Sequence, residues 1–310
     1  MAQTDLAIVI PAYKATFLRE TLESIANQTD KRFHLYIGDD CSPYNLKEIV
    51  DEFEGRIPMT YHRFDTNLGG TDLVSQWERC IALTHGEPWI WLFSDDDIMG
   101  PECVREFYAG KTLNPKTNVF RFDVTIIDGA DTKRKKVMFP EHIGSLDLYL
   151  KKVDGETSCF VVEYIFSRDI HTKSGGFVNF DLAWGSDLAT WVKFGGKEGI
   201  QTLKNGMVFW RSSGTNISTD FSKTIIDRKA NALIEFLKWG QKMFPGNKEV
   251  KKVNNNGFIR RLADMSMTMG ISFGNEKIGR YTRSTSERLK FKSLLLARVG
   301  YKHLRNVFQR

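Results

Sequence analysis

The sequence predicts an α/β fold in which helices flank a mainly parallel sheet, with a helical extension at the carboxyl end. In the first hundred residues, short apolar runs of strand length alternate with stretches of helical apolar spacing. Strands separated by single helices favour right-handed crossovers and parallel pairing. Beyond about residue 220 the apolar spacing is helical throughout, which predicts the extension.

The elements of the first hundred residues follow each other in regular alternation. A short apolar run opens the chain and Pro11 closes it, as expected for a buried first strand. Three similar runs follow, and the segments between them place apolar residues on one helical face. The strands are predicted over residues 6–10, 33–38, 59–64 and 89–93, and the helices over residues 17–27, 45–53 and 71–84.

The pattern is looser after Pro101. Further strands are predicted over residues 119–127, 133–139, 158–166 and 207–211, a glycine turn over residues 174–177, and helices over residues 181–194, 225–243, 250–272 and 285–308. A length of 310 residues suits one large domain with a smaller appendage. We therefore expect a domain over residues 1–215, with halves 1–105 and 106–215, and a helical extension over residues 216–310.

Charge and cysteine content narrow the class of protein. The net charge is +6, and the segment from Lys277 to Arg310 holds ten Lys or Arg against one acid. The four cysteines form no CxxC pair, which disfavours structural zinc and a disulfide framework. The amino terminus has no basic n-region, and no stretch has the length of a membrane span. We therefore expect a cytoplasmic protein.

Three consecutive carboxylates, Asp95, Asp96 and Asp97, follow the fourth apolar run. Buried acids need compensation, so these must face water, cations or donors. Polar segments follow the other strands at residues 11–13, 39–40 and 67–70. Because carboxyl ends of parallel strands meet at one edge, the pattern predicts a crevice of nucleotide size, where carboxylates with Mg²⁺ or Mn²⁺ would seat a diphosphate. An acidic turn that caps the next helix is the alternative.

A set of short motifs runs through the first two thirds of the chain. They are residues 8–13 (Ile-Val-Ile-Pro-Ala-Tyr), Ser24, Ile25, Gln28, Asp39, Asp40, Ser42, Asn67, Gly69, Gly86, residues 94–97, Pro101, residues 175–177 and residues 185–187. Together they resemble the family 2 glycosyltransferases, which have the nucleotide-diphospho-sugar transferase (GT-A) fold. The resemblance covers roughly residues 6–215. It implies a nucleotide-binding half over residues 1–105 and an acceptor and catalytic half over residues 106–215.

The resemblance implies a nucleotide-sugar donor site at the edge of the sheet. In such enzymes the loop Pro11, Ala12, Tyr13 packs around the base, and the acid matching Asp40 accepts a hydrogen bond from a uracil-like N3–H. Asp39 orients the loop or simply forms a turn. Further donor contacts are expected from Asn67, Gly69, Asp95, Asp96, Gly175, Gly176 and Arg211. For Arg211 a surface salt bridge is the alternative, and for the glycines an ordinary turn.

The resemblance also implies a metal site and a catalytic base. This sequence differs from the family's usual metal motif, Asp-x-Asp, because Ser94 is followed by three acids. Alignment on Pro101 makes Asp96 the direct ligand of Mg²⁺ or Mn²⁺ and lets Asp95 contact ribose or metal. The alignment of the three acids with the motif stays open by one residue. Asp97 is then a further metal-site acid or a helix cap. Asp187 matches the general base, and a helix-terminal acid is its alternative.

The expected activity is inverting, metal-dependent transfer of a sugar from a nucleotide-diphospho-sugar, UDP-linked by preference, to a glycan or lipid-linked acceptor of bacterial surface polysaccharide. The basic tail helix either lies on an anionic membrane surface, which would place the protein at the inner face of the membrane, or packs on the core with a solvated basic face. Nucleic acid is disfavoured as a partner. The rivals are a nucleotidyltransferase, which needs a Gly-rich basic loop where residues 11–15 stand, and a non-catalytic membrane-associated binding module.

Overall fold

The computed structural model describes residues 4–214, 220–282 and 284–308, with the side chains of Arg134 and of residues 298–308 left out. The chain forms two compact units. The first contains residues up to 148 together with residues 157–179 and 186–216, and the second contains residues 149–156, 180–185 and those from 217 onward.

The first unit is built on a ten-stranded sheet with the order β3-β2-β1-β4-β9-β6-β10-β5, to which β7 adds beside β6 and β8 beside β10. The strands are β1 (Leu6–Ala12), β2 (Phe33–Asp39), β3 (Met59–Arg63), β4 (Trp89–Leu92), β5 (Ile98–Met99), β6 (Val119–Asp128), β7 (Lys133–Val137), β8 (His142–Ile143), β9 (Tyr164–Ser167) and β10 (Ile200–Ser212). The first four strands pair in parallel, as expected. Strand β9 is antiparallel to both of its neighbours, β4 and β6, and therefore separates the two parallel groups.

The core of the first unit lies on both faces of the central strands. Every residue from Leu6 to Ile10 is fully buried, which explains why β1 is apolar throughout instead of alternating. Trp91 of β4 stacks on Phe122 of β6 at 5.2 Å between ring centroids, and its indole N–H donates to the Val162 carbonyl at 2.7 Å. This pairing satisfies the polar atom that a buried tryptophan carries.

Seven helices of the described residues accompany the sheet. They are α1 (Leu18–Ala26), α2 (Leu46–Asp51), α3 (Leu73–Ile81), α4 (Cys103–Leu113), α5 (Ser145–Asp154), α6 (Arg168–Lys173) and α7 (Ser186–Gly195). Asp72 is the N-cap of α3, because its carboxylate accepts the backbone N–H of Ser75 at 3.0 Å. Helices α1, α2 and α3 lie inside the predicted ranges. Their ends differ from the predicted ends by one or two residues, except that α3 ends three residues early.

The second unit is helical, as predicted from the apolar spacing. Its long helices are α8 (Lys223–Met243), α9 (Lys248–Met269), α10 (Ile271–Tyr281) and α11 (Thr285–Phe308). A buried asparagine ties parts of this unit together: Asn254 accepts from the Tyr149 hydroxyl at 2.8 Å and donates to the Leu237 carbonyl at 2.9 Å. No helix within the described residues is long and apolar enough to cross a bilayer.

Two predicted helices are interrupted by backbone conformations that the apolar spacing does not reveal. The helix predicted over residues 250–272 is divided at Gly270, whose φ of 90° and ψ of 167° suit glycine. The helix predicted over residues 181–194 begins only at Ser186, because Leu182 and Gly185 have φ angles of 58° and 88°. The strand predicted over residues 158–166 is also shorter, since only β9 pairs with the sheet.

Candidate active site

The carboxyl ends of β1, β2, β3 and β4 bring four polar segments together at one edge of the sheet. The backbone N–H of Asp40 donates to the Ala12 carbonyl at 2.9 Å, and that of Tyr13 donates to Asp95 Oδ2 at 2.7 Å. Gly69 N–H donates to Asp40 Oδ2 at 2.8 Å. The convergence predicted from the strand order is therefore present in the structure.

Asp95 and Asp96 are buried against donors of the first loop. Asp95 Oδ2 accepts the backbone N–H groups of Tyr13 and Lys14, at 2.7 and 2.6 Å. The Lys14 ammonium contacts Asp96 Oδ2 and lies 3.7 Å from Asp95 Oδ1. The two acids are 4% and 5% exposed, so donors and a cation surround them in place of bulk water. The sequence assigned no role to Lys14, although it directly follows the predicted base-binding Tyr13.

The charges of this cluster influence one another. Burial raises the pKa of Asp95, and the Lys14 ammonium acts in the opposite direction. Burial opposes the charge on Lys14, but the carboxylates of Asp95 and Asp96 outweigh it and raise the pKa of the ammonium. Lys14 is therefore charged at neutral pH and balances part of the negative charge of the two acids.

Asp97 is held by the protein on both of its carboxylate oxygens. Oδ1 accepts the backbone N–H of Arg211 at 2.6 Å, and Oδ2 accepts the Ser94 hydroxyl at 2.5 Å. Burial, and next the charge of Asp96, raises the pKa of Asp97 well above its ordinary value. Glu102, and not Asp97, is the N-cap residue of α4. These contacts favour a positioning role for Asp97 over direct metal ligation.

Arg211, at the end of β10, is buried directly behind the acids. Its Nε donates to the Asp96 carbonyl at 2.8 Å, Nη2 to Glu20 Oε2 at 2.7 Å, and Nη1 to Asp131. The guanidinium also lies 4.0 Å from the Phe17 ring centroid, and its side chain is 0% exposed. The alternative of a salt bridge is present, with the half-exposed acids Glu20 and Asp131, but the guanidinium itself is buried and not at the surface. The expected contact with a diphosphate has no support in this geometry, because each guanidinium nitrogen already has a protein acceptor.

Asp39 is a loop-forming residue with 0% exposure. Its Oδ1 accepts the backbone N–H of Ser42 at 2.7 Å, and its Oδ2 accepts from the Tyr61 hydroxyl and from Arg63 Nη1 at 2.7 Å. This arrangement corresponds to the orienting role that the resemblance implied for Asp39.

Asp40 holds the turn that follows β3. Oδ1 accepts Leu68 N–H at 2.7 Å and also contacts Arg79, and Oδ2 accepts Gly69 N–H at 2.8 Å and Asn67 Nδ2 at 3.0 Å. A carboxylate offers about four acceptor positions, so these donors fill its capacity. To accept a base N3–H as expected, Asp40 would have to exchange one of these four partners.

Gly69 can approach Asp40 only because it lacks a side chain. A Cβ added at this position would lie 2.7 Å from Asp40 Oδ2. The predicted pair of Asn67 and Gly69 thus forms the frame around the Asp40 carboxylate, which explains both residue types at these positions.

Tyr13 is the exposed aromatic of this edge. It is 42% exposed, whereas the preceding Ala12 is fully buried and Pro11 is partly buried. The Tyr13 carbonyl accepts the Ser42 hydroxyl at 2.6 Å, which fixes the loop beside Asp39. Tyr44, 56% exposed, is a second aromatic on the Ser42 side that the sequence did not single out. The base-stacking role of Tyr13 stays a prediction.

The glycine turn follows α6, with φ angles of 71° at Gly175 and 78° at Gly176. A Cβ at Gly176 would lie 2.6 Å from Glu78 Oε1. Glu78 of α3 accepts the backbone N–H of Phe177 at 2.7 Å and lies 2.9 Å from His171 Nε2. Burial opposes ionisation of Glu78, but these two hydrogen bonds outweigh it and lower its pKa. No local pattern indicates a role for Glu78, because its partners are more than ninety residues away.

Asp187 lies half-buried in the first turn of α7, where the helix dipole favours its ionised form. The chain that leads from the glycine turn towards α7 runs along α3. Asn179 Nδ2 donates to the N-cap residue Asp72 at 3.0 Å, and Val178 N–H donates to the Thr190 hydroxyl of α7 at 2.9 Å. Helix α3 begins just after the turn at Asn67 and Gly69. These hydrogen bonds therefore link α7, through residues 178–179, to the start of α3 beside the edge that carries the acids. The base role of Asp187 stays a prediction.

The donor set suits a hard divalent cation that is shared with a substrate. No group of three or more His, Cys, Asp or Glu that could hold a metal occurs within the described part of the chain. Asp95 and Asp96 nevertheless present carboxylate oxygens to one cation, the Lys14 ammonium. Mg²⁺ is commonly held by one or two carboxylates together with substrate phosphates. The residues therefore fit a metal–diphosphate pair better than an isolated metal.

Comparison with known proteins gives related sequences over part of the chain. The family profile described as "Glycosyl transferase family 2" matches residues 7–171, just over half of the chain. A Haemophilus influenzae protein described as an uncharacterized glycosyltransferase is 30% identical over 114 residues, or 36% of each chain. Poly(ribitol-phosphate) β-N-acetylglucosaminyltransferase TarS of Staphylococcus aureus is 27% identical over 107 residues, 33% of this chain and 18% of TarS. The chain thus matches only a minor part of these curated relatives.

Solved structures resemble the chain over most of its length. The crystal structure of S. aureus TarS 1–349 in complex with UDP-GlcNAc has a TM-score of 0.60 at 16% identity and covers 89% of both chains. Mannosyltransferase PcManGT from Pyrobaculum calidifontis, in complex with GDP-Man and Mn²⁺, has a TM-score of 0.54 at 12% identity, over 99% of this chain and 88% of the other. The expected GT-A architecture with carboxyl-terminal helices is therefore confirmed.

Proposed function

Since the chain belongs to glycosyl transferase family 2, we propose that it moves a sugar from a nucleotide-diphospho-sugar to an acceptor hydroxyl, with inversion at the anomeric carbon. The main support is the meeting of Tyr13, the Asp40 turn and the buried acids Asp95 and Asp96 at one edge of the sheet. That edge combines an exposed aromatic with carboxylates that already hold a cation. A nucleoside diphosphate with a divalent cation needs both features.

The residues divide the work between donor and acceptor. Tyr13 stacks on the base, and the loops around Asp39 and Asp40 place the nucleoside. Asp96, with Asp95 beside it, would hold Mg²⁺ or Mn²⁺, which supplies neutralisation of the charge on the leaving diphosphate. Gly175 leaves room for close approach of the donor sugar, because a Cβ added there would have no atom within 4 Å. Gly176 shapes the same turn, although the space beside it is filled by Glu78.

Asp187 is the proposed general base. Its carboxylate accepts the proton of the acceptor hydroxyl, whose oxygen then attacks the anomeric carbon from the face opposite the diphosphate. The helix dipole at the start of α7 supports the ionised form that this step needs. The division into a nucleotide-binding half (1–105) and an acceptor half (106–215) follows from these roles.

The decisive test compares Asp187→Asn and Asp96→Asn with the control Asp51→Asn, an exposed acid on α2. Release of nucleoside diphosphate is measured over a panel of activated sugars with Mg²⁺ or Mn²⁺. We expect Asp187→Asn to lower kcat roughly 10²- to 10⁴-fold, in the range of a lost general base. Asp96→Asn should abolish the response to metal, and Asp51→Asn should behave as wild type. Full activity of both active-site variants would refute the assignment.

A parallel assay of pyrophosphate release from nucleoside triphosphates separates the rival functions. A nucleotidyltransferase would release pyrophosphate from a nucleoside triphosphate, and a non-catalytic binding module would turn over none of the donors. UDP is the proposed nucleotide, partly because TarS was solved with UDP-GlcNAc. A thermal-shift comparison of UDP, GDP, dTDP and CMP, each with and without Mn²⁺, tests that choice.

We further propose a glycan or lipid-linked acceptor in surface polysaccharide assembly, with the tail helix α11 at the inner face of an anionic membrane. The apolar side chains Phe291 and Leu295 of α11 are buried within the helical unit, which removes part of the stripe that was expected to enter lipid. What supports membrane contact is the exposed set Arg288, Lys290 and Lys292 on the same helix. Contact would accordingly be electrostatic and shallow.

A further inference from the structure

Lys14 lies where a metal shared by the two acids would bind. Its ammonium contacts Asp96 Oδ2 and lies 3.7 Å from Asp95 Oδ1. The side chain of Lys14 is 31% exposed, whereas those of Asp95 and Asp96 are 6% and 8% exposed. Lys14 is therefore the more exposed partner of both ion pairs, and its side chain reaches solvent where the carboxylates do not.

The ammonium and a divalent cation exclude each other at this position. Mg²⁺ binds carboxylate oxygens at about 2.1 Å, so a metal shared by Asp96 Oδ2 and Asp95 Oδ1 would occupy the space that the ammonium takes. Two like charges in a poorly solvated site also repel each other strongly. One of the two cations must leave when the other binds.

The side chains of Lys14 and Arg211 differ in exposure, at 31% and 0%. The Arg211 guanidinium is fully buried, and its bond to Asp96 goes to the backbone carbonyl and not to the carboxylate. Lys14 carries its charge on a flexible stem with an exposed portion, and its backbone N–H keeps its own bond to Asp95 at 2.6 Å. Displacement of the ammonium would therefore leave the backbone contact between the loop and Asp95 intact.

We propose that Lys14 is an internal counter-cation, which occupies the metal position in the metal-free protein and is displaced when Mg²⁺ or Mn²⁺ binds. This inference rests on the proposed metal-dependent function. Without metal, the ammonium compensates two neighbouring buried carboxylates that would otherwise destabilise the fold. With metal, the same contacts must be broken, which weakens the apparent affinity for the ion.

The test measures Mn²⁺ affinity by calorimetry or by electron paramagnetic resonance, with and without UDP. Lys14→Met removes the competing charge and keeps the length of the stem. We expect Mn²⁺ to bind Lys14→Met roughly tenfold more tightly, the effect of losing a competing ion pair of about 1.4 kcal/mol. Lys14→Arg keeps the charge and should retain weak binding. Lys47→Met, which removes an exposed lysine paired with Asp51, is the matched control and should leave the affinity unchanged.

Thermal unfolding gives a second readout that does not depend on catalysis. The metal-free Lys14→Met protein should melt below wild type, and Mn²⁺ should raise its Tm by more than it raises that of wild type. If Lys14→Met does not fold without metal, Lys14→Gln provides the same comparison with a polar side chain.

The outcomes separate this inference from the proposed function. Equal or weaker Mn²⁺ binding by Lys14→Met and Lys14→Gln, in an enzyme that still turns over a nucleotide-sugar, would overturn the role of Lys14 alone. Absence of Mn²⁺ binding in wild type and in every variant, with no turnover of any donor, would overturn both proposals.

Discussion

The acids at the edge of the sheet are held by donors that come from distant parts of the chain. Asp40 accepts from the turn at Asn67 and Gly69, Asp95 from the loop at Tyr13, and Asp97 from Arg211. Each carboxylate is therefore fixed before any ligand arrives. Such preorganisation is what a site for a charged ligand requires.

The close approach of Gly69 to Asp40 predicts a large effect of one methyl group. Gly69→Ala places a Cβ 2.7 Å from Asp40 Oδ2, so the turn or the carboxylate must move. We expect a loss of about 1–3 kcal/mol in the free energy of unfolding, measured in urea, together with weaker UDP binding. The control is Gly129→Ala, an exposed position where the nearest atom would lie at 3.8 Å, and its stability should stay near wild type. A stable Gly69→Ala protein would contradict this account of the turn.

Glu78 predicts a dependence of stability on pH. Its pKa is lowered in the folded state, so its ionised form stabilises the fold above the pKa of the unfolded chain, and this stabilisation is lost as the pH falls through the folded-state pKa. Glu78→Gln should therefore cost about 1 kcal/mol at pH 7 and clearly less at about pH 3, because the stabilisation shrinks as the pH falls below the ordinary glutamate pKa of 4.5. Urea unfolding at both pH values measures the difference. The exposed Glu54→Gln serves as control, and a penalty for Glu78→Gln that does not change with pH would argue against an ionised Glu78.

The residues that form the edge of the sheet could be predicted from the sequence. The contacts that these residues make could not. Asp40, Asp95 and Asp96 follow apolar runs in the sequence, and strand order alone brings them together. Lys14 and Glu78 carry no local signal, because an isolated Lys or Glu is an ordinary surface residue until its partners are known. Arg211 was predicted to reach the donor diphosphate, but its burial and its ion pairs with Glu20 and Asp131 cannot be read from its immediate neighbours in sequence.

Among the elements, those with a clear apolar period were predicted, whereas the helices α4 and α5, of eleven and ten residues, and the shortest strands were not. Strands β1 to β4 and helices α1 to α3 have clear apolar periods and were found within a few residues. Strands β5 and β8 contain two residues each, which is too short for any period to show. Their place in the sheet depends on pairing with β10, a contact over a long separation in sequence.

The break between α9 and α10 depends on one glycine. Gly270 has a φ of 90° and a ψ of 167°, a backbone conformation that is almost restricted to glycine. Gly270→Ala should lower the free energy of unfolding by about 1–3 kcal/mol. Gly279→Ala, within α10 and exposed, is the control, and it should be neutral or stabilising by up to about 1 kcal/mol. Circular dichroism during denaturation follows both, and equal stability of the two variants would contradict the strain at Gly270.

For the molecule as a whole, the positive charge is separated from the acidic edge along the chain. The ten basic residues from Lys277 onward belong to the helical unit, whereas Asp40, Asp95 and Asp96 belong to the sheet unit. The concentration of basic residues at the carboxyl end of the chain could be predicted from the sequence alone. The packing of Phe291 and Leu295 could not, because an amphipathic period does not say whether protein or lipid covers the apolar face.

The proposed membrane contact can be tested through the charge of α11. Lys290→Gln with Lys292→Gln should weaken binding to vesicles that contain anionic lipid, by about 1 kcal/mol, or about fivefold, per lysine removed. Cosedimentation at two salt concentrations measures the change, and added salt should reduce it. The control pair is Lys151→Gln with Lys173→Gln, exposed lysines outside this helix. Equal weakening by both pairs would argue against a specific role of α11.

The position of β9 has a consequence for how the protein is made. Strand β4 ends at Leu92, but its second neighbour, β9, begins only at Tyr164. At a ribosomal rate of about 5–20 residues per second, roughly 4–15 s pass between the synthesis of the two strands. During that interval the open edge of β4 carries unpaired N–H and C=O groups, which can pair with strands of other chains until β9 covers them.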